Sequence, residues 1–208
     1  MRVLLLSPHT DDVEIGAGGL VARLQSTGTH RFLWVVFSIC SDSLPAGWPR
    51  NTLEREFRLA AAVLGIADVT VFNYTVRSFS SHRQAILETL IALRRDFRPE
   101  LVVAPCLDDV HQDHATISAE AVRAFKNSST ILGYEQPWNN IHFAARVLVR
   151  LSSRDVERKW LALSSYQSQV FLGRAYLQRE SVFALARTRG GQCDCQYAEA
   201  FDLPRCVV

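Results

Sequence analysis

A chain of 208 residues, 48% hydrophobic and 21% charged, is long enough for one sizeable core and has the make-up of a soluble globular protein rather than a disordered or fibrous one. A net charge of +2 with both signs interspersed excludes the dense basic field that holds a nucleic-acid backbone. The longest apolar stretches, such as FLWVVFSIC at 32–40, fall well short of the roughly 20 residues of a membrane span.

Taken in chain order, short leucine-rich or β-branched runs alternate with amphipathic segments. RVLLLS at 2–7 reads as a buried strand, GGLVARLQSTG at 18–28 as a helix, FLWVVFS at 32–38 as a strand, LEREFRLAAAVLG at 53–65 as a helix, and VTVFN at 69–73 as a strand. RQAILETLIALRRDF at 83–97, LVVAP at 101–105, HATISAEAVRAF at 114–125 and TILGY at 130–134 continue the alternation. Gly28, Gly65 and Pro99 punctuate the helix ends. A sixth strand is expected within FAARVLVRLS at 143–152, followed by helical stretches at 153–169 and 174–190 and then an irregular tail.

This alternation predicts an α/β fold, a three-layer, Rossmann-like, doubly wound and mostly parallel sheet with helices on both faces. No Gly/Ser/Pro-rich linker interrupts it, so residues 1–208 are expected to form a single domain. In the common 3-2-1-4-5 order, strands 1 and 4 are neighbours whose crossovers leave in opposite directions, which opens a crevice at their C-terminal ends.

Five cysteines, an odd number at irregular spacing, fit reduced thiols and a cytoplasmic location better than a disulfide framework. Cys193 and Cys195 form a Cys-Xaa-Cys pair that lacks the second pair of a structural zinc site. MRVLLLSPHTDD offers too short an apolar core for a signal peptide, which argues against export by that route.

Two polar clusters follow the two strands expected at the crevice: SPHTDDVE after the first and DDVHQDH at 108–114 after the fourth. His9, Asp11, Asp12, His111, Asp113 and His114 together supply the imidazoles and carboxylates that a divalent zinc ion accepts. Three of them would suffice, since a catalytic zinc keeps one position open for water and lowers its pKa to about 7. Adjacent carboxylates in an extended loop point apart, so one of Asp11 and Asp12 can ligate while the other faces the water. His111 and His114 share a cavity only if the helix begins as early as His111; with Asp113 as the cap their rings diverge.

PHTDD at 8–12 paired with HQDH at 111–114 resembles the LmbE-like (PIG-L) family of zinc-dependent N-acetylglucosaminide deacetylases, whose motifs read Pro-His-Pro-Asp-Asp and His-Xaa-Asp-His. LAAAVLGI, RPELVVAP, ERKWLALSSYQSQ and ARTRGGQCDCQYAEAF look like further family stretches in the same order. The resemblance implies His9, Asp12 and His114 as metal ligands to Zn2+, with another divalent ion such as Fe2+ left open. It implies Asp11 as general base, His111, protonated, as the group that polarises the substrate carbonyl, and Asp113 as the residue that holds the His111 ring. The implied reaction is hydrolysis of an acetamide on an N-acetylated amino sugar or glycoconjugate, with no nucleic-acid partner, no membrane span, and homo-oligomerisation left open.

Thr10 stands where the family has proline, and Glu14 comes one place late after the aspartate pair. Leu53 occupies the place of an arginine common in family members that act on glucosaminides, with Arg50 or Arg55 as substitutes. Trp48, Trp138 and Tyr134 are candidates for stacking on a sugar ring, and Tyr197 and Glu199 for a subunit interface. Competing readings are a non-catalytic sugar- or metal-binding module, a deacylase of a non-sugar amide, and a two-metal phosphoesterase, which would need more carboxylates. GAGG at 16–19 lacks the third glycine of a dinucleotide fingerprint, and no Gly-Xaa-Ser-Xaa-Gly elbow is present.

Overall fold

The computed structural model describes residues 1–207. Its strands are β1 (Arg2–Ser7), β2 (Arg31–Val36), β3 (Val69–Val71), β4 (Leu101–Pro105), β5 (Thr130–Tyr134), β6 (Val147–Leu151) and β7 (Tyr197–Arg205). Its helices are α1 (Asp12–Ser26), α2 (Thr52–Leu64), α3 (Arg83–Phe97), α4 (Gln112–Phe125), α5 (Ser153–Leu163), α6 (Gln167–Phe171) and α7 (Arg179–Gly191). The strands make one sheet in the order β3-β2-β1-β4-β5-β7-β6, parallel from β3 through β5, with β7 antiparallel to both of its neighbours. No described helix is long and apolar enough to cross a membrane.

The two-residue period of a strand explains the layers. Val3 and Leu5 of β1, with Trp34, Val36, Leu101 and Val103 of its neighbours, face a core shared with α1 and α2. Leu4 and Leu6, with Val35, Val102 and Ala104, face the opposite core, which α3 and α4 close with Ile86, Leu90, Ile117 and Phe125. Every residue of β4 is buried, as expected of a parallel strand covered on both sides. Because α1 and α4 leave β1 and β4 toward opposite faces, the two chain segments part above the sheet and leave the expected crevice.

The sequence-based expectation misses in three places. Helix α1 begins at Asp12, six residues ahead of the expected start, and its small residues let it pack close to the sheet. A Cβ on Gly16 would overlap the Tyr134 ring, and one on Gly19 would meet the Leu151 and Glu199 side chains. The tail expected to be irregular holds β7, which inserts between β5 and β6. Its sequence YAEAFDLPR has few β-branched residues, so only its pairing with both neighbours identifies it. Third, the segment 153–169 is α5, opened by a Ser152–Asp155 capping box, and a separate short α6.

Candidate active site

The loop 8–11 after β1 and the loop 106–111 after β4 deliver their polar side chains to one cavity of about 210 Å³. His9, Asp11, Asp12, His111 and His114 all line it. His9 Nδ1, Asp12 Oδ2 and His114 Nε2 form a nearly equilateral triangle, with sides of 3.4 Å from His9 to Asp12, 3.3 Å from His114 to Asp12 and 3.2 Å from His114 to His9. Ligand atoms around a tetrahedral zinc with bonds of about 2.0–2.1 Å stand about 3.3–3.4 Å apart, so the triangle has the dimensions of one face of that coordination shell. His9, His111 and His114 also offer ring nitrogens within 4.8 Å of one another, so the three histidines could hold a metal ion.

Hydrogen bonds aim these atoms. His114 Nδ1 lies 2.7 Å from Asp109 Oδ2 and His9 Nε2 lies 2.9 Å from Asp113 Oδ2, so each ring gives its far N–H to a carboxylate and turns its other nitrogen to the triangle. The His9 amide donates to Asp12 Oδ2, and Gln136 Nε2 donates to Asp12 Oδ1, which pins the carboxylate from both ends. Asp109 is buried and also accepts from the His111 amide. It belongs to the DDVHQDH cluster, yet spacing alone does not separate it from its neighbour Asp108.

Three electron pairs this close require positive charge between them, supplied by protons or by a cation. Burial alone would lower the His9 pKa, but the Asp113 and Asp12 carboxylates raise it to about 9. Burial likewise opposes the charge on His114, yet Asp12 and Asp109 raise it to about 10. Asp12 is driven far below the usual carboxylate range: burial acts against ionisation, and the two histidines overcome it. The donor set therefore fits a divalent ion, which could take the place of the protons.

Asp11 is half-buried at the start of α1 and makes no capping hydrogen bond with its side chain. Burial, then repulsion from Asp12, pushes its pKa up to about 6, which leaves it a carboxylate able to take and return a proton near neutral pH. His111 caps α4, its Nδ1 accepting from the Asp113 amide at 3.2 Å. The helix thus starts early enough for His111 and His114 to share the cavity, their ring centroids 4.8 Å apart. With Nδ1 accepting, the His111 proton sits on Nε2. Burial, then His114 and His9, lowers its pKa, which favours a neutral ring that donates from Nε2 over the protonated group the resemblance implied.

Asp113 meets the His111 ring through its backbone amide, not through its side chain. Its carboxylate points the other way, taking the His9 N–H and the amides of Arg77 at 2.7 Å and Phe79 at 3.3 Å. Arg77 adopts a left-handed backbone conformation, φ 66°, so that this turn wraps the carboxylate in N–H groups. Burial opposes ionisation of Asp113, but the bond to His9 and these amides lower its pKa overall.

Glu14 and Tyr166 support the first loop from beneath. The Tyr166 hydroxyl contacts both the Thr10 carbonyl and Glu14 Oε1, the latter at 2.6 Å. A hydroxyl has one proton and a carbonyl only accepts, so Tyr166 donates to Thr10 and Glu14 donates to Tyr166 as a neutral acid. Burial pushes the Glu14 pKa well up in keeping with this, and a neutral carboxyl explains how Oε2 is buried without a partner.

The remaining candidates sort by burial. Tyr134 is fully buried, with its hydroxyl donating to the Leu6 carbonyl, and is a core residue rather than a sugar platform. Trp48 leans on Phe171 away from the cavity, whereas Trp138 lines it, stacked on Tyr176 with centroids 4.2 Å apart. Neither Arg50 nor Arg55 lines the cavity beside Leu53; Arg77 and Arg174 do, and neither has an ion-pair partner among the described residues. Tyr197 and Glu199 are buried in β7 and are unavailable to another subunit. Glu199 instead takes the amides of Gly19 and Leu20 and pairs with Lys159 at 2.7 Å.

Comparison with known proteins accords with this arrangement. The family described as PIG-L, GlcNAc-PI de-N-acetylase, matches residues 4–125, more than half of the chain. The uncharacterized deacetylase YaiS of Escherichia coli K12 is 25% identical over 173 residues, spanning 80% of this chain and 90% of YaiS. The conserved protein TT1542 of Thermus thermophilus superposes with a TM-score of 0.79 at 27% identity, over 99% of this chain and 96% of its own. The N,N'-diacetylchitobiose deacetylase of Pyrococcus horikoshii gives 0.78 at 20% identity, over 97% and 83% of the two chains, a likeness of fold.

Proposed function

The chain belongs to the PIG-L family of GlcNAc-PI de-N-acetylases and is a metal-dependent N-deacetylase; from this membership we propose that its ion is zinc and its substrate an N-acetylated amino sugar or glycoconjugate of the N-acetylglucosamine type. The observation that carries the proposal is the triangle of His9 Nδ1, Asp12 Oδ2 and His114 Nε2, two nitrogens and one oxygen at the spacing of zinc ligands. An ion held by His9, Asp12 and His114 would supply Lewis acidity for the hydrolysis of the acetamide.

The protein's own groups do the rest. Asp11, ionised above about pH 6, takes a proton from the attacking water and passes it to the departing amine. His111 donates from Nε2 to the acetamide oxygen as negative charge builds there, and its lowered pKa keeps it neutral beforehand. Asp109 and Asp113 fix the two ligand rings, and Tyr166 fixes the loop that presents Asp11. The stacked Trp138 and Tyr176 offer an apolar face for a sugar ring, and the unpaired Arg77 and Arg174 favour a substrate that carries an anionic substituent.

Acetate release by the zinc-loaded protein, screened across N-acetylhexosamines, their neutral and anionic glycosides and short chitin oligomers, tests this reading. Turnover of an amino-sugar acetamide is expected, with Asp11→Asn retaining the ion and losing turnover by about 10²–10⁴-fold. Turnover confined to non-sugar amides would overturn the substrate class, and full activity of Asp11→Asn would overturn the assigned base.

A further inference from the structure

The turn between α7 and β7 lies outside the two motifs that build the candidate active site and places two cysteines side by side. The amides of Cys193 and Cys195 both donate to the Gly190 carbonyl, at 3.1 and 3.0 Å, so the chain curls around one oxygen. Asp194 between them adopts a left-handed conformation, φ 52°, which costs energy in a non-glycine residue and completes the tight turn. The turn brings the two sulfurs to 3.4 Å, side by side and only half-buried. Gly190 is required beneath them, since a Cβ there would press into the Cys195 and Gln196 carbonyls.

A lone thiol meets an oxidant and stops at a mixed adduct; two thiols in contact complete the exchange. We propose that Cys193 and Cys195 are a thiol–disulfide exchange site that takes oxidising equivalents from small disulfides of the glutathione class. One cysteine thiolate attacks a sulfur of the small disulfide, forms a mixed disulfide and releases the first small thiolate. The neighbouring cysteine, losing its proton to that thiolate, attacks the protein sulfur of the mixed disulfide and expels the second small thiol. Two protein thiols are oxidised to one disulfide and one small disulfide is reduced to two thiols. Closing from 3.4 Å to a bond of about 2.05 Å lies within reach of the side-chain torsions.

The other cysteines supply internal controls. Cys40 and Cys106 are buried, whereas Cys206 is exposed with no thiol within reach. Full-length Cys206→Ser protein, incubated with excess glutathione disulfide and read by intact mass and peptide mapping, should lose about two mass units and keep no glutathione. Adding Cys193→Ser or Cys195→Ser should leave one glutathione bound to the remaining thiol, and dithiothreitol should reverse both products. Glutathione retained at either position in the protein with both cysteines present would overturn the proposal. So would inertness of both thiols under conditions that modify Cys206 in the unsubstituted chain.

Discussion

Asp113 Oδ2 and His9 Nε2, 104 positions apart in the chain, lie 2.9 Å from each other and join the two loops that build the site. The contact sets which His9 nitrogen faces the triangle, because the N–H given to the carboxylate leaves the lone pair on Nδ1. Asp113→Ala removes that constraint and leaves the Arg77 and Phe79 amides without their acceptor. Zinc affinity should fall about 10–100-fold, read by competition with a chromophoric chelator, while His111→Ala should leave it nearly unchanged. An equal loss in both variants would make His111 a ligand, as the spacing of the three histidines allows.

The role given to His111 has its own test. A neutral imidazole that donates to developing charge contributes to the transition state rather than to substrate binding. His111→Ala should therefore lower kcat about 10²–10³-fold with little change in KM, measured by acetate release. A rise in KM at constant kcat would mean that the ring only helps to hold the substrate.

Much of this site is legible in the chain because its motifs sit directly after buried strands. VLLL and LVVA carry no charge, so the clusters beginning at His9 and Asp108 emerge only past the C-terminal ends of these strands, and the parallel pairing brings those ends of β1 and β4 together. What the sequence leaves open depends on side-chain direction. Asp108 and Asp109 are adjacent and chemically alike, and it takes the bridge between Asp109 and Asn140 to turn one of them inward. The Asp113 carboxylate turns away from His111 because the amides of Arg77 and Phe79 and the His9 ring, all distant in the chain, take it. Tyr166 lies 156 positions from Thr10 and reads as one more helical aromatic until the fold places it under the loop.

The histidine pKa values predict how the metal-free protein responds to pH. His9 and His114 rise from 6.5 to about 9 and about 10 despite burial, through their carboxylate neighbours. Their contribution to stability is complete below pH 6.5 and is lost as the pH climbs through 9 to 10, so denaturation midpoints without metal should fall over that window. Zinc must displace these protons, so binding at about pH 7.5 should release a proton from each ring, measured by calorimetry in two buffers of different ionisation enthalpy. Binding without proton release would mean that the rings are neutral in the free protein and that protons do not hold the triangle together.

Tyr166→Phe keeps the ring and deletes the hydroxyl. The Thr10 carbonyl and the Glu14 carboxyl lose their buried partner, so stability should fall by about 1–3 kcal/mol in urea denaturation. Activity should fall further than stability accounts for, through kcat, because the loop that presents Asp11 loses its anchor. Unchanged kcat with the expected loss of stability would confine Tyr166 to a structural part.

The Lys159–Glu199 pair stands at 2.7 Å with both side chains almost wholly buried, and it ties α5 to β7 while Glu199 holds the Gly19 and Leu20 amides of α1. Removing one member strands the other. Lys159→Met leaves a buried carboxylate that still has two amide donors, whereas Glu199→Leu strands an ammonium and two amides at once. Breaking a buried pair costs about 3–5 kcal/mol, and Glu199→Leu should lie at the upper end of that range and Lys159→Met at the lower, compared by denaturant midpoint at constant m-value. The double variant should recover part of the loss of Glu199→Leu, since it no longer buries an unpaired charge. If the order of the two single variants were reversed, the amide bonds to Glu199 would be contributing little, and α1 would be held by its glycine packing alone.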